Sequence, residues 1–219
     1  MKTVISDKIK LAAPGYRLLK IEAQVANCDT PVELWREIEQ LSDSLRQVMV
    51  IADINKRPAI AATRDAYKAC GKDPNRYRPS SEALCRRILK GQDLYRVNAV
   101  VDAINLLSLK SGHSIGAFDM DKIAGDTITL VIGEELEPYE GIGRGTLNIA
   151  GMPVWRDAVG GIGTPTSDNE RTKVTLTTTA LLITVNIYGH EMDVDAIVTE
   201  SRRLLETYCG TTSFEHNLV

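Results

Sequence analysis

The chain's 219 residues are 43% apolar, ample for a sizeable core and compatible with one large domain or two small ones. A formal net charge of −3 excludes a global basic field, so any nucleic-acid contact must be local. Four widely spaced cysteines, Cys28, Cys70, Cys85 and Cys209, never form C-x-x-C, which argues against a zinc knuckle or redox dithiol and for reduced thiols. The N-terminal MKTVISDKIK carries no apolar export segment, and no run of about 18 apolar residues occurs. A cytoplasmic protein without membrane contact is therefore expected.

No linker, internal repeat or low-complexity tract divides the chain. One compact unit is expected, in which residues 1–80 form a strand and helix extension packed on the core of an 81–219 domain. Tyr16 to Val25 alternates partway and predicts a strand. Thr30 as N-cap, Pro31 at N1 and Glu33 at N3 then predict a capping box opening a helix over 31–48. Further helices are expected over 58–68, closed by Gly71, and from Pro79 to Gly91. A helix beginning near Leu94 carries Val97, Val100, Val101, Ile104 and Leu107 at a 3.6-residue period and ends at Gly112. On another of its faces Asn98, Asp102 and Asn105 form a polar row, either a site wall or a solvated surface.

Downstream the pattern turns to strands. Thr127 to Ile132, Thr146 to Ala150 and Ala180 to Tyr188 are each bounded by glycine and predict one sheet. A last helix capped at Asp193 ends at Gly210, and the residues after it read as frayed. The fold class is α+β, a mixed β-sheet flanked by helices.

The run from Arg96 to Asp126 holds V-V-D-x-x-N in a helix, then a glycine, then G-A-F-D and D-K-I-x-G-D. With Gly133-Glu134-Glu135 it resembles the editing module of the phenylalanyl-tRNA synthetase β subunit, its B-three/B-four domain. The similarity covers roughly Glu82 to Gly189. It implies a freestanding copy of that module, without aminoacylation activity of its own. It also implies a sheet-lined pocket that hydrolyses the ester of a mischarged tRNA through a water held by polar side chains.

Three positions depart from the family's pattern. Ile104 stands where it has threonine, Gly116 where it has histidine, and the pair Gly160-Gly161 is followed by Ile162 instead of glutamate. Ester hydrolysis needs a positioned water and help for the developing oxyanion, so either the chemistry has moved or it is lost. Asp168, Glu170 and His113 are the catalytic candidates. Asn98, Asp102, Asn105, Gly116, Ala117, Phe118, Gly160, Gly161, Arg171 and Thr172 are the candidates for substrate binding, with Arg171 as a clamp for carboxylate or phosphate. His190 and His216 rank below His113. No cofactor and no metal site is expected.

Between Lys68 and Arg96 eight basic residues stand against Asp73, Glu82 and Asp93, a local excess of five, interleaved with Tyr67, Tyr77 and Tyr95. Cations beside aromatic rings suit an exposed RNA end, and Arg76, Arg78, Arg86, Arg87 and Lys90 are the expected contacts to a tRNA acceptor end or aminoacyl-tRNA. Two functions follow from the pattern. One is a hydrolase that clears misacylated tRNA; the other is a non-catalytic module that binds tRNA or a free amino acid.

Overall fold

The computed structural model describes residues 1–189 and 193–219. In chain order the elements are β1 (Lys2–Ile5), α1 (Asp7–Ala12), β2 (Arg17–Gln24), α2 (Val32–Val48), α3 (Pro58–Ala69), α4 (Ser80–Leu89) and α5 (Ala99–Ser111). There follow β3 (Ile115–Asp119), β4 (Thr127–Ile132), β5 (Glu140–Gly141), β6 (Gly145–Thr146), β7 (Pro153–Arg156), β8 (Gly161–Gly163), β9 (Ala180–Ile187), α6 (Val194–Tyr208) and β10 (Ser213–Leu218). The architecture is α+β, as the sequence predicts.

The strands make two four-stranded sheets instead of the single one expected, ordered β10-β2-β9-β3 and β1-β4-β7-β8. The first is antiparallel throughout; in the second only β1 and β4 run parallel. The reason for stacking is visible in β9, where Leu181, Ile183, Val185 and Ile187 face one way and Leu182 the other, all inaccessible to solvent. A strand apolar on both faces must be covered on both. Its first set joins Leu19 and Ile21 of β2 against α2, α4, α5 and α6. Leu182 instead joins Leu18 and Phe118 against Ile128, Leu130, Trp155 and Ile162 of the second sheet. The layers are thus helices, sheet, sheet. Between the sheets the buried Asn186 amide oxygen accepts from Tyr16 Oη at 2.9 Å and Trp155 Nε1 at 3.1 Å, so its polar group is satisfied.

Several local expectations are corrected. Ala117-Phe118-Asp119 belongs to edge strand β3, paired with β9, a strand beyond the ones predicted from the sequence. Of the expected 146–150 strand only Thr146 is extended, as part of β6 in a two-stranded hairpin with β5. The C-terminal residues pair along all of β10 with β2 instead of fraying. Helix α5 starts at Ala99, five residues after Leu94, because Asn98 caps it by accepting the Val101 N–H at 3.0 Å. The Thr30 capping box does not form: Pro31 is the N-cap of α2, and the Thr30 hydroxyl donates to Asp102. Gly112, at φ 80°, ends α5 as expected.

Candidate active site

On edge strand β3 side chains alternate, so Ile115 and Ala117 point to the helical layer while Gly116 and Phe118 point to the second sheet. Above the first pair runs α5, bringing Val101, Ile104 and Asn105, with Val97 just before it. The β5–β6 hairpin adds Ile142, and the segment after β8 adds Asp168, Lys173 and Val174. Together these close a cavity of about 320 Å³, within the size range of small-molecule sites. Its walls are aliphatic except at Asn105, Asp168 and Lys173.

Asp168 is held on that wall by the Ala117 N–H, which donates to its Oδ2 at 3.1 Å. Burial pushes its carboxyl up from the ordinary 3.8 to about 7, and the single N–H offsets this only in part. A carboxyl that titrates near neutrality in an apolar cleft is equipped to exchange a proton at physiological pH. Lys173 also lines the cavity, with its ammonium paired to Glu170.

A second cavity, of about 430 Å³, adjoins the first, and Asn105 lines both. Arg78, Arg86, Arg87, Lys90 and Arg144 surround it, with Tyr95 at its edge. Among the described residues no acidic side chain lines this groove. Beneath it lies Glu82, fully buried on α4, which accepts from Arg86 Nε at 2.7 Å and Arg64 Nη1 at 2.8 Å, with Arg78 Nε 3.7 Å away. One sunken carboxylate thus fixes two guanidinium groups by hydrogen bonds, with the third, Arg78, in looser ion-pair range. Arg87 stacks on Tyr95, its guanidinium carbon 4.1 Å from the ring centroid.

The structure therefore brings together Asn105, Ala117 and Asp168 in the pocket, and Arg78, Arg86, Arg87 and Lys90 in the groove. Other expected site residues lie elsewhere. Asn98 is a helix cap, and Asp102 is buried, accepting from Thr30 and the Val97 N–H; burial raises its carboxyl. Gly116 and Phe118 face away from the pocket. Gly160 belongs to a turn bound to Asp157, and Gly161 packs against Tyr139. Arg171 is no free clamp: it donates two 2.8 Å bonds to the buried Asp157 and one to the Lys122 carbonyl. Burial alone would raise Asp157, but Arg171 and three backbone N–H groups outweigh it and hold the carboxyl low. Thr172 is buried beneath Ile162, Glu170 lies outside the pocket wall, and Arg76 faces Tyr77, outside the groove.

His113 is buried instead of exposed, its Nδ1 3.3 Å from the Asn186 carbonyl; burial above all depresses it to about 4, so it is neutral at pH 7. It does not line the pocket. His190 lies outside the described residues, and His216 sits on β10. Among the described residues no group of three or more His, Cys, Asp or Glu side chains could hold a metal ion, and no helix is long and apolar enough to cross a membrane.

Sequence reasoning missed Lys173, Ile142 and Arg144. The last two carry a readable signal, since Gly141, Gly143 and Gly145 alternate with them, and Gly143 and Gly145 adopt φ 64° and 67°. That glycine spacing makes the tight hairpin that presents Ile142 to the pocket and Arg144 to the groove.

The layering is α+β, with an apolar pocket at an edge strand that opens beside a basic groove. The model of the B3/4 domain family matches residues 62–204, and the chain belongs to that family. No curated protein matches it. Fifteen chains of solved structures do. Among them is the crystal structure of an N-terminal fragment of the phenylalanyl-tRNA synthetase beta-subunit from Pyrococcus horikoshii, 13% identical, with a TM-score of 0.50. The match covers all of this chain and 54% of that one. The chain thus spans about half the length of the fragment it matches, and the likeness is one of fold.

Proposed function

We propose that this protein binds the acceptor end of a charged tRNA and hydrolyses its aminoacyl ester, acting on tRNA misacylated elsewhere. One observation carries the reading: the aliphatic pocket and the basic groove meet at Asn105, and Asp168, with its carboxyl raised to about 7, lies on the pocket wall. Phosphates of the unpaired 3′ end pair with Arg78, Arg86, Arg87, Lys90 and Arg144, and Tyr95 offers a stacking face for a terminal base. The aminoacyl group enters the pocket past Asn105. Membership of the B3/4 family and the likeness to a synthetase β-subunit fragment support the same assignment.

In the chemical step Asp168 is the general base. It takes a proton from a water molecule whose oxygen bonds to the ester carbonyl carbon. The carbon–oxygen bond to the ribose then breaks, and the ribose oxygen leaves with the proton returned by Asp168. The departures at Ile104 and Gly116 therefore do not abolish the reaction, because its base comes from the segment after β8.

The test is deacylation of a panel of charged tRNAs by the folded protein. Wild type is expected to accelerate release of at least one amino acid. Asp168→Asn is expected to slow it by about 100-fold or more, with affinity for uncharged tRNA altered less than about threefold. No acceleration with any charged tRNA would overturn the proposal. A ligand-dependent melting shift without turnover would then assign the site to binding alone.

A further inference from the structure

We infer that the pocket selects an aliphatic α-aminoacyl group of the valine and isoleucine type, presented as an ester instead of a free amino acid. This rests on the hydrolytic reading above and adds the substrate class. The argument begins with what the walls lack. Val97, Val101, Ile104, Ile115, Ile142 and Val174 supply methyl and methylene surface, and among the described residues no aromatic ring or hydroxyl lines the cavity. Branched aliphatic walls pack best against a branched aliphatic ligand, and a hydroxyl buried among them has no partner.

The polar side chains do not fill that gap. Asn105 stands where the pocket meets the groove, Asp168 accepts the Ala117 N–H and faces the reacting water, and Lys173 is paired with Glu170. A ligand hydroxyl among the aliphatic groups is left unsatisfied. The same carboxylate distinguishes ester from acid. Asp168 attracts the α-ammonium that both forms carry, but it repels the α-carboxylate that only the free amino acid has.

The experiment uses Asp168→Asn and wild type with non-hydrolysable 3′-aminoacylamino-3′-deoxyadenosine analogues bearing valine, isoleucine, threonine or tyrosine, and with free L-valine, by titration calorimetry. Valine and threonine are isosteric, so their ratio isolates the hydroxyl. The valyl analogue is expected to bind about 10- to 100-fold more tightly than the threonyl one. On wild type, free valine is expected to bind at least about tenfold more weakly than its analogue. Val101→Thr, which supplies a wall hydroxyl at constant shape, is expected to shrink the valine-to-threonine ratio severalfold. Ile142→Trp, on the exposed hairpin, is expected to block the isoleucyl analogue.

Equal or inverted affinities for valine and threonine would overturn the substrate class. If deacylation persisted in that case, the hydrolytic reading would survive. Tighter binding of free valine than of its analogue would overturn the ester assignment. No binding of any analogue together with no deacylation would overturn both.

Discussion

Asp168 and Gly116 show how single side chains carry opposite obligations. Asp168 titrates near 7 in the fold against about 3.8 in the open chain, so between these values the folded state holds a proton that the unfolded state has lost. Its contribution to stability is complete below pH 4, declines as pH rises and is gone above 7. Replacing it with asparagine is expected to raise the melting temperature at pH 8, by the equivalent of roughly 1 to 3 kcal/mol, and to leave it unchanged at pH 4. A thermal melt series across pH checks this; equal shifts at both ends would contradict it. Gly116 is a packing position. A Cβ there would lie 2.7 Å from Phe118 Cζ and 2.8 Å from Thr184 Oγ1, both buried. Gly116→Ala is therefore expected to cost about 1 to 3 kcal/mol in urea unfolding while tRNA affinity is preserved.

At the scale of elements, α5 and β3 make the site because each end of α5 is pinned. Asn98 caps its N-terminus, and Arg57 Nη2 donates to the Leu109 carbonyl at 2.7 Å and to the Lys110 carbonyl at 3.1 Å near its C-terminus. Asn98→Ala is expected to destabilise the protein by about 1 kcal/mol. Chemical denaturation measures that loss, and unaltered binding of the valyl analogue separates a cap from a ligand contact. The helices were legible in the sequence: α2, α3, α4 and α6 lie within a residue or two of their expected bounds, because Pro, Gly and Asp mark their ends. The sheets were harder. A strand such as β3, with Gly116 under the ring of Phe118 two residues along the same strand, shows no alternation of polar and apolar residues. The pairing of β1 with β4 spans more than a hundred residues and leaves no local trace. Asp168 stood out as a candidate, yet its raised carboxyl arises from walls contributed by α5, β3 and the β5–β6 hairpin, which no local window brings together.

For the whole molecule, the first 24 residues contribute one strand to each four-stranded sheet. β2 is an inner strand between β9 and β10, and β1 pairs with β4 at the edge of the second sheet. We propose that the N-terminal segment and the rest of the chain fold as one unit, although the family match begins only at residue 62. A chain starting at residue 62 is expected to lose cooperative unfolding and near-ultraviolet circular dichroism, since β9 would keep an unpaired edge and β10 no neighbour. A sharp melting transition in that fragment would refute the proposal.

The buried Glu82 beneath the basic groove has a thermodynamic consequence. Because it anchors Arg86 by a hydrogen bond and draws Arg78 by charge, part of the groove's guanidinium array is in place before RNA arrives, and little ordering entropy is spent on it. Association would then be driven chiefly by ions released from the nucleic acid. With about three phosphates engaged, the logarithm of the binding constant should fall against the logarithm of salt concentration with a slope near −2. Glu82→Gln would add a net positive charge and yet weaken binding, the reverse of what charge counting alone would give.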